Sequence, residues 1–296
     1  MKPVILFILL SLFFTACGSP GTDLSGKKHQ ITVSILPQKY FFERIAGDSA
    51  NTDFDIHVMI PPGQSPETYA PTPRQMKTVS QSSLYLRIGY IPFETAWMKN
   101  IAANNPQMKI IDTSVGVDLI KPGETDSHHP GSHPHAGIDP HTWLSVKAVK
   151  IQAKHILDAV IALDSENQDI YEKNYRAFLL DIDDLDREIK AILAHCPGKK
   201  FLVFHPAWSY FSRDYGLEQV SIEVEGKVPN PADLKRIIDI AQAENLRVVF
   251  IQAQFDVHSA RAAAEEIGGR LVPLDPLAED WLANMKQMAA ALCESK

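Results

Sequence analysis

Apolar and polar residues alternate in several short runs along the first part of the chain. Positions 31–35 and 54–60 alternate in this way and contain β-branched residues, which predicts two strands. Two further apolar runs, at positions 83–88 and 109–112, predict two more strands. Helical patterns lie between these runs, and strands that alternate with helices predict a parallel α/β sheet.

A much longer helical pattern lies near the middle of the chain. Residues Tyr171, Tyr175, Phe178, Ile182 and Leu185 recur at spacings of three or four. The pattern continues for about 25 residues without a glycine or proline, which is roughly 38 Å at the rise of an α-helix. We therefore expect a long helix that connects two parts of the protein.

A second set of strands and helices follows the long helix. Apolar runs at 200–204, 247–251 and 270–274 predict strands, and helical patterns separate them. The size of the chain, 296 residues, also reaches the limit of one core, about 250–300 residues. The sequence thus predicts an α/β protein in which a long linker helix joins two Rossmann-like lobes with parallel sheets. The predicted boundaries are 29–165 for the N-terminal lobe, with a loop at 121–138, then 166–196 for the linker helix and 197–296 for the C-terminal lobe.

The first residues differ in character from the rest of the chain. A positively charged start precedes a short apolar run, and small residues stand directly before Cys17. This arrangement is typical of a secretory signal peptide. Because small residues before a cysteine resemble a bacterial lipobox, we expect residues 1–17 to be a lipoprotein signal with a lipidated Cys17. An ordinary signal peptide with an incidental cysteine is the alternative. Residues 18–28 predict a flexible tether, so the expected location is extracytoplasmic, periplasmic and lipid-anchored to a membrane.

Charge and cysteine content narrow the function further. The net charge is -7 and no basic cluster stands out, which argues against a nucleic-acid partner. Two cysteines remain, Cys196 and Cys293, and an exported location permits a disulfide between them. Two separate thiols are the alternative, because the sequence alone does not bring these residues together.

Four side chains that can bind metal stand where a predicted strand or loop ends. They are Glu67, His141, His205 and Asp275. Each of them alone has an ordinary explanation as a surface, turn or capping residue. Together they offer two imidazoles and two carboxylates, two from each lobe, at the strand ends where α/β sheets bind ligands. This set suits zinc, with manganese or iron as alternatives, in a cleft between the lobes.

The loop predicted at 121–138 is rich in histidine. It contains His128, His129, His133 and His135. Histidine-rich tracts commonly bind metal, so we expect an auxiliary site that collects zinc weakly near the main site. A solvated linker is the alternative.

Five short motifs follow one another along the chain. They are Pro-Gly-Gln-Ser-Pro at 62–66, Tyr-Ala-Pro-Thr-Pro at 69–73, Asp-Pro-His-Thr-Trp-Leu at 139–144, Phe-His-Pro-Ala-Trp-Ser-Tyr-Phe at 204–211 and Leu-Asp-Pro-Leu at 274–277. Their order resembles that of the zinc- and manganese-binding lipoproteins of bacterial ABC importers, from about Ile31 to the end of the chain. The resemblance implies two lobes joined by a long helix, with Glu67, His141, His205 and Asp275 as the interlobe metal ligands. Members of that family usually have histidine where this chain has Glu67, and the second carboxylate weakens the preference for zinc. Either Glu67 takes over the ligand role, or a loop histidine or water completes the site.

The same resemblance implies a solute-binding protein that captures zinc and delivers it to an ABC permease without catalysing a reaction. Within that family, histidine at position 205 and a histidine-rich loop both favour zinc over manganese. A member that imports manganese or iron is the alternative. A zinc-dependent hydrolase with Glu67 as general base is less favoured, because the chain has no His-Glu-x-x-His motif. An adhesion lipoprotein would leave the ligand set unexplained. We expect a monomer that is held to a membrane by its lipid.

Overall fold

The computed structural model describes residues 28–48, 52–122, 137–196, 198–223, 230–252, 254 and 257–294. The predicted signal segment with Cys17 and almost all of the predicted tether lie outside the described residues. The auxiliary histidines His128, His129, His133 and His135 also lie outside them. In the described part of the chain, every helix is too short or too polar to cross a membrane.

The N-terminal lobe is built on a four-stranded parallel sheet with the order β2-β1-β3-β4. Apolar residues of the central strand pair with apolar residues on both sides, as Ile31 does with Ile56 and Leu84. Because all strands are parallel, their carboxyl ends meet at one edge, where ligands bind in such sheets. The elements are β1 (His29–Val33), α1 (Leu36–Ala46), β2 (Phe54–Val58), α2 (Pro73–Val79), β3 (Leu84–Arg87), α3 (Pro92–Asn104) and β4 (Lys109–Asp112).

Two consecutive helices lead from this lobe to the next. A 3₁₀ turn (Thr142–Leu144) precedes α4 (Val146–Leu163), whose N-terminus is capped by Ser145. A second 3₁₀ turn (Ser165–Asn167) precedes α5 (Gln168–Leu193), which has 26 residues. This is the long helix that the sequence predicts.

The C-terminal lobe repeats the sheet arrangement of the first, with the strand order β6-β5-β7-β8 and parallel pairing throughout. The prediction of two parallel α/β lobes joined by a long helix is therefore confirmed. The elements are β5 (Lys200–Val203), α6 (Ser209–Tyr215), β6 (Glu218–Ser221), α7 (Pro231–Ala243), β7 (Val248–Ile251), α8 (Val257–Glu266), β8 (Arg270–Pro273) and α9 (Trp281–Cys293).

The last helix returns from the C-terminal lobe and packs along α5. At its start, the ring of Trp281 meets Phe41 of α1 edge-on, with 5.3 Å between the ring centroids. At its end, a disulfide joins Cys293 to Cys196, whose Cα atoms are 4.7 Å apart. Two adjacent helices, α5 and α9, therefore connect the lobes, and the disulfide joins their C-terminal ends.

One apolar core extends through both lobes. It includes Ile31 and Leu84 of the first sheet, Phe178 of α5, and Phe201 and Phe250 of the second sheet. A second apolar cluster, which includes Leu202, Val249 and Ala260, lies within the C-terminal lobe. Because the larger core is shared, the two lobes cannot separate as rigid bodies without exposing apolar surface.

Candidate metal centre

Glu67 lies in the loop that follows β2. The chain turns at Gly63, which has a φ of +77°, a conformation that favours glycine. The backbone N–H of Glu67 donates to Ser65 Oγ at 3.2 Å. The N–H of Phe93, in the first turn of α3, donates to the carbonyl of Pro66 at 2.9 Å. The loop is thus held against α3, while the side chain of Glu67 remains 27% exposed.

His141 stands at the N-terminal end of the turn that precedes α4. Its ring Nδ1 lies 2.9 Å from Asp139 Oδ1, and its backbone N–H donates to the same oxygen at 2.9 Å. The hydroxyl of Tyr210 in α6 donates to the carbonyl of Asp139 at 2.8 Å. Both ring and backbone of His141 are therefore oriented by Asp139, which is itself fixed from the other lobe.

His205 follows β5 directly and is buried. Its Nδ1 lies 2.8 Å from Glu223 Oε2, and its Nε2 lies 3.2 Å from Glu67 Oε1. The carbonyl of His205 accepts a hydrogen bond from Gln252 Nε2 at 3.2 Å. Glu67 belongs to the N-terminal lobe and His205 to the C-terminal lobe, so the contact between these two side chains crosses the cleft between the lobes.

Asp275 follows β8 and lies at the border of the same cleft. Its Oδ1 accepts hydrogen bonds from Gln254 Nε2 at 3.1 Å and from the backbone N–H of Leu277 at 2.9 Å. Asn284 Nδ2 of α9 donates to its carbonyl at 2.8 Å. The carboxylate therefore has a fixed orientation, and its partners Gln254 and Leu277 line the cleft.

Two tryptophans join the turns that carry His141 and Asp275. The indole N–H of Trp143 donates to the carbonyl of Pro276 at 2.7 Å, and that of Trp281 donates to the carbonyl of Trp143 at 2.6 Å. Both rings are almost fully buried. The turns that carry two of the predicted ligands, from different lobes, are thus held together by buried hydrogen bonds.

Three of the four predicted ligands line one cleft. Glu67 and His141 line it from the N-terminal lobe and His205 lines it from the C-terminal lobe. The rings of His141 and His205 are 5.4 Å apart between centroids. The structure brings these three together directly and places Asp275 beside them.

A buried carboxylate also supports the wall of the cleft. Glu94 in the first turn of α3 is fully buried and accepts from the backbone N–H groups of Ile88 and Gly89, both at 2.7 Å. Desolvation raises the pKa of the Glu94 carboxyl, and Arg87 opposes this shift. Its hydrogen bonds fix the turn that leads to Ile91, a residue of the cleft wall.

The sequence pattern did not assign a site role to Asp139, Glu223 or Gln254. Glu223 is buried and lies against His205. Its position just beyond β6 is the same signal that marks the other candidates. That signal was missed because the strand itself was not predicted.

The chemistry of the cleft is that of a metal site. In the described part of the chain, Glu67, His205 and Glu223 bring one donor atom each to within 4.8 Å of one another. Imidazole and carboxylate donors suit zinc and neighbouring divalent ions. Two parallel α/β lobes with such donors between them define a metal-binding solute-binding protein of an ABC importer.

The chain belongs to the ZnuA family, described as "Zinc-uptake complex component A periplasmic", which it matches over residues 31–295. It is 26% identical over 289 residues to the high-affinity zinc uptake system protein ZnuA of Bacillus subtilis, covering 92% of this chain and 88% of the relative. It is 28% identical over 277 residues to the manganese ABC transporter substrate-binding lipoprotein PsaA of Streptococcus anginosus, covering 88% and 85%.

The chain is also similar to a solved structure. A crystal structure of a deletion mutant of ZnuA with zinc bound has 41% sequence identity and a TM-score of 0.81, covering 90% of this chain and 98% of that one. The predictions of fold class, of the family, and of a metal-binding importer component rather than an enzyme are thereby confirmed. Proteins of this class act together with a permease and an ATPase.

Proposed function

We propose that this protein captures zinc outside the cytoplasmic membrane and that Glu67, His141, His205 and Asp275 are its ligands. The main support is the contact across the cleft, in which His205 Nε2 lies 3.2 Å from Glu67 Oε1. An ion that binds here would take one imidazole and one carboxylate from each lobe. Two ionised carboxylates and two neutral imidazoles would balance a divalent cation.

Glu67 can take the position at which relatives usually have histidine. Its loop is anchored to α3, and its Oε1 points at His205. A carboxylate oxygen binds zinc at about 2.0–2.2 Å, so a small shift of the loop would allow coordination. This supports direct coordination by Glu67 in the proposed site.

The experiment is a competitive titration of the purified, metal-free protein with zinc against a chelator of known affinity, with bound ions counted. We expect one tightly bound zinc ion, and we expect His205→Ala to lose it. The exposed His258 of α8 offers a matched control, since His258→Ala should bind zinc as the parent does. If His205→Ala kept the full affinity, the proposed ligand set would be wrong.

Manganese is the second candidate cargo, and Glu67 is the observation that favours it. Two carboxylates make the site harder than a site with three imidazoles, and harder ligands suit manganese. The same titration with manganese decides between the two ions. Tight manganese binding with weak zinc binding would assign the protein to manganese uptake.

We further propose that Cys17 carries a lipid anchor and that the protein works as a monomer. The support is the sequence around Cys17 and the lipoprotein relative that binds manganese. Mass spectrometry of the membrane-bound protein tests the lipid on Cys17, and sedimentation tests the monomer.

The segment with His128, His129, His133 and His135 is proposed to collect zinc near the cleft. Deleting residues 127–135 should remove weakly bound zinc and leave the tight site intact.

A further inference from the structure

We propose that Asp139 and Glu223 are positioning residues that hold both histidines with Nε2 turned toward the metal. This inference rests on the proposed function of the cleft. Each histidine has a carboxylate oxygen beside Nδ1, at 2.9 Å for His141 and 2.8 Å for His205. Each lobe thus places a carboxylate beside Nδ1 of its histidine.

The direction of each hydrogen bond follows from its partners. An ionised carboxylate only accepts hydrogen bonds, so Nδ1 of each ring must carry the proton that it donates. The lone pair of a neutral imidazole is then on Nε2. For His205 this nitrogen lies on the Glu67 side, which is where the proposed cargo would bind.

Glu223 lies on the wrong side of the ring to share a metal ion with Nε2 of His205. The two ring nitrogens point in different directions, and Glu223 and Glu67 take one nitrogen each. The short distances within this group of three side chains therefore do not make Glu223 a ligand. Its geometry is that of a carboxylate behind a metal-binding histidine, an arrangement that orients the ring and strengthens it as a ligand.

The backbone around Glu223 is built to keep this geometry. β6 pairs in parallel with β5, and beyond the strand the N–H of Glu223 donates to the carbonyl of Phe204 at 3.0 Å. Phe204 is the residue before His205, so the two side chains start from neighbouring strand ends. The carboxylate is also buried, with 5% of its side chain exposed, so solvent competes little for this hydrogen bond.

Variants of Glu223 test the inference by zinc affinity, measured with the metal-free protein and a competing chelator. Glu223→Leu removes the acceptor and should weaken zinc binding about 10–100-fold, the usual effect of losing such a partner. Glu223→Gln keeps an acceptor oxygen of the same reach and should recover most of that loss. The exposed Glu265 of α8 is the matched control, and Glu265→Leu should leave the affinity unchanged.

Nitrogen-15 NMR of histidine-labelled protein adds a readout that a merely structural role would not change. In the zinc-bound parent, His205 should carry its proton on Nδ1 and the metal on Nε2. In Glu223→Leu, the Nδ1 proton should exchange faster with water. If Glu223→Leu fails to fold, as judged by circular dichroism, Glu223→Gln decides, because a ligand role predicts that it loses zinc whereas a positioning role predicts that it keeps it.

The failures of the two proposals can be told apart. A parent protein without a tight zinc site would overturn the proposed function and this inference with it. A parent with tight zinc and a Glu223→Leu variant of equal affinity would overturn the inference alone. Zinc on Nδ1 of His205 would also overturn it.

Discussion

The disulfide between Cys196 and Cys293 should make a large contribution to stability. It joins the ends of two packed helices and closes a loop with a sequence separation of 97 residues. In the chain-entropy model, a crosslink over about 100 residues destabilises the unfolded chain by about 4.7 kcal/mol at 25 °C. Because measured values are usually lower, we expect the double variant Cys196→Ser/Cys293→Ser to lose about 2–5 kcal/mol.

The assay is guanidinium unfolding of the metal-free protein, followed by circular dichroism and by tryptophan fluorescence. Coincident transitions would justify a two-state treatment. The double variant is used because a single substitution would leave a free thiol. The parent protein under reducing conditions is the matched control and should show the same loss. A double variant within about 1 kcal/mol of the oxidised parent would refute this reasoning.

The same variant should bind zinc as the parent does. The disulfide lies at the end of α9, and Trp281 at the start of that helix lies beside the cleft. Thirteen helical residues span about 20 Å at 1.5 Å each. A loss of zinc affinity together with the loss of stability would show that the tie between α5 and α9 also holds the site.

Three further substitutions test other parts of the structure. Gly89→Ala should lower the melting temperature more than Gly63→Ala does. Both glycines have positive φ, but only at Gly89 would a Cβ stand 2.6 Å from Ser114 Oγ. Equal losses in melting temperature would contradict this. Tyr210→Phe should cost about 1–3 kcal/mol in guanidinium unfolding, since Asp139 O and the N–H of Ile120 both lose a buried partner; the half-exposed Tyr90 supplies the control Tyr90→Phe. Glu67→His should raise the ratio of zinc to manganese affinity, because imidazole is the softer ligand; an unchanged ratio in paired titrations would argue against Glu67 as a ligand.

The spacing of apolar residues predicted much of the fold, because apolar residues recur on the buried face of each strand or helix. The run at 109–112 coincides with β4, and the spacing of apolar residues in 171–185 predicted α5. Three elements were not predicted, α3, α6 and β6. Of these, β6 is only four residues long, Glu218–Ser221, and has one buried residue, so it lacks the apolar run that marks the other strands.

The site could be predicted only in outline. Parallel strands bring their carboxyl ends to one edge, so the sequence could place Glu67 and His205 at the ends of two sheets. That these ends face each other depends on how the lobes pack around α5 and α9. The carboxylate behind His205 was hidden for a different reason, since Glu223 meets this ring through the pairing of β5 with β6, and β6 was not predicted.

The shared core also decides how a metal ion can enter and leave. Opening the lobes as rigid bodies would expose parts of an apolar core that includes Phe41, Phe178 and Trp281, at about 25 cal/mol for each Å². The side chains of His141 and His205 are only 8% and 5% exposed, and buried carboxylates hold them. The side chain of Glu67 is 27% exposed and lies on a loop. We therefore expect the loop at 61–69 to move during metal exchange while the lobes stay in place. Hydrogen exchange should show protection of this loop on zinc binding and little change in α5, and a large change in α5 would instead indicate a hinge motion of the lobes.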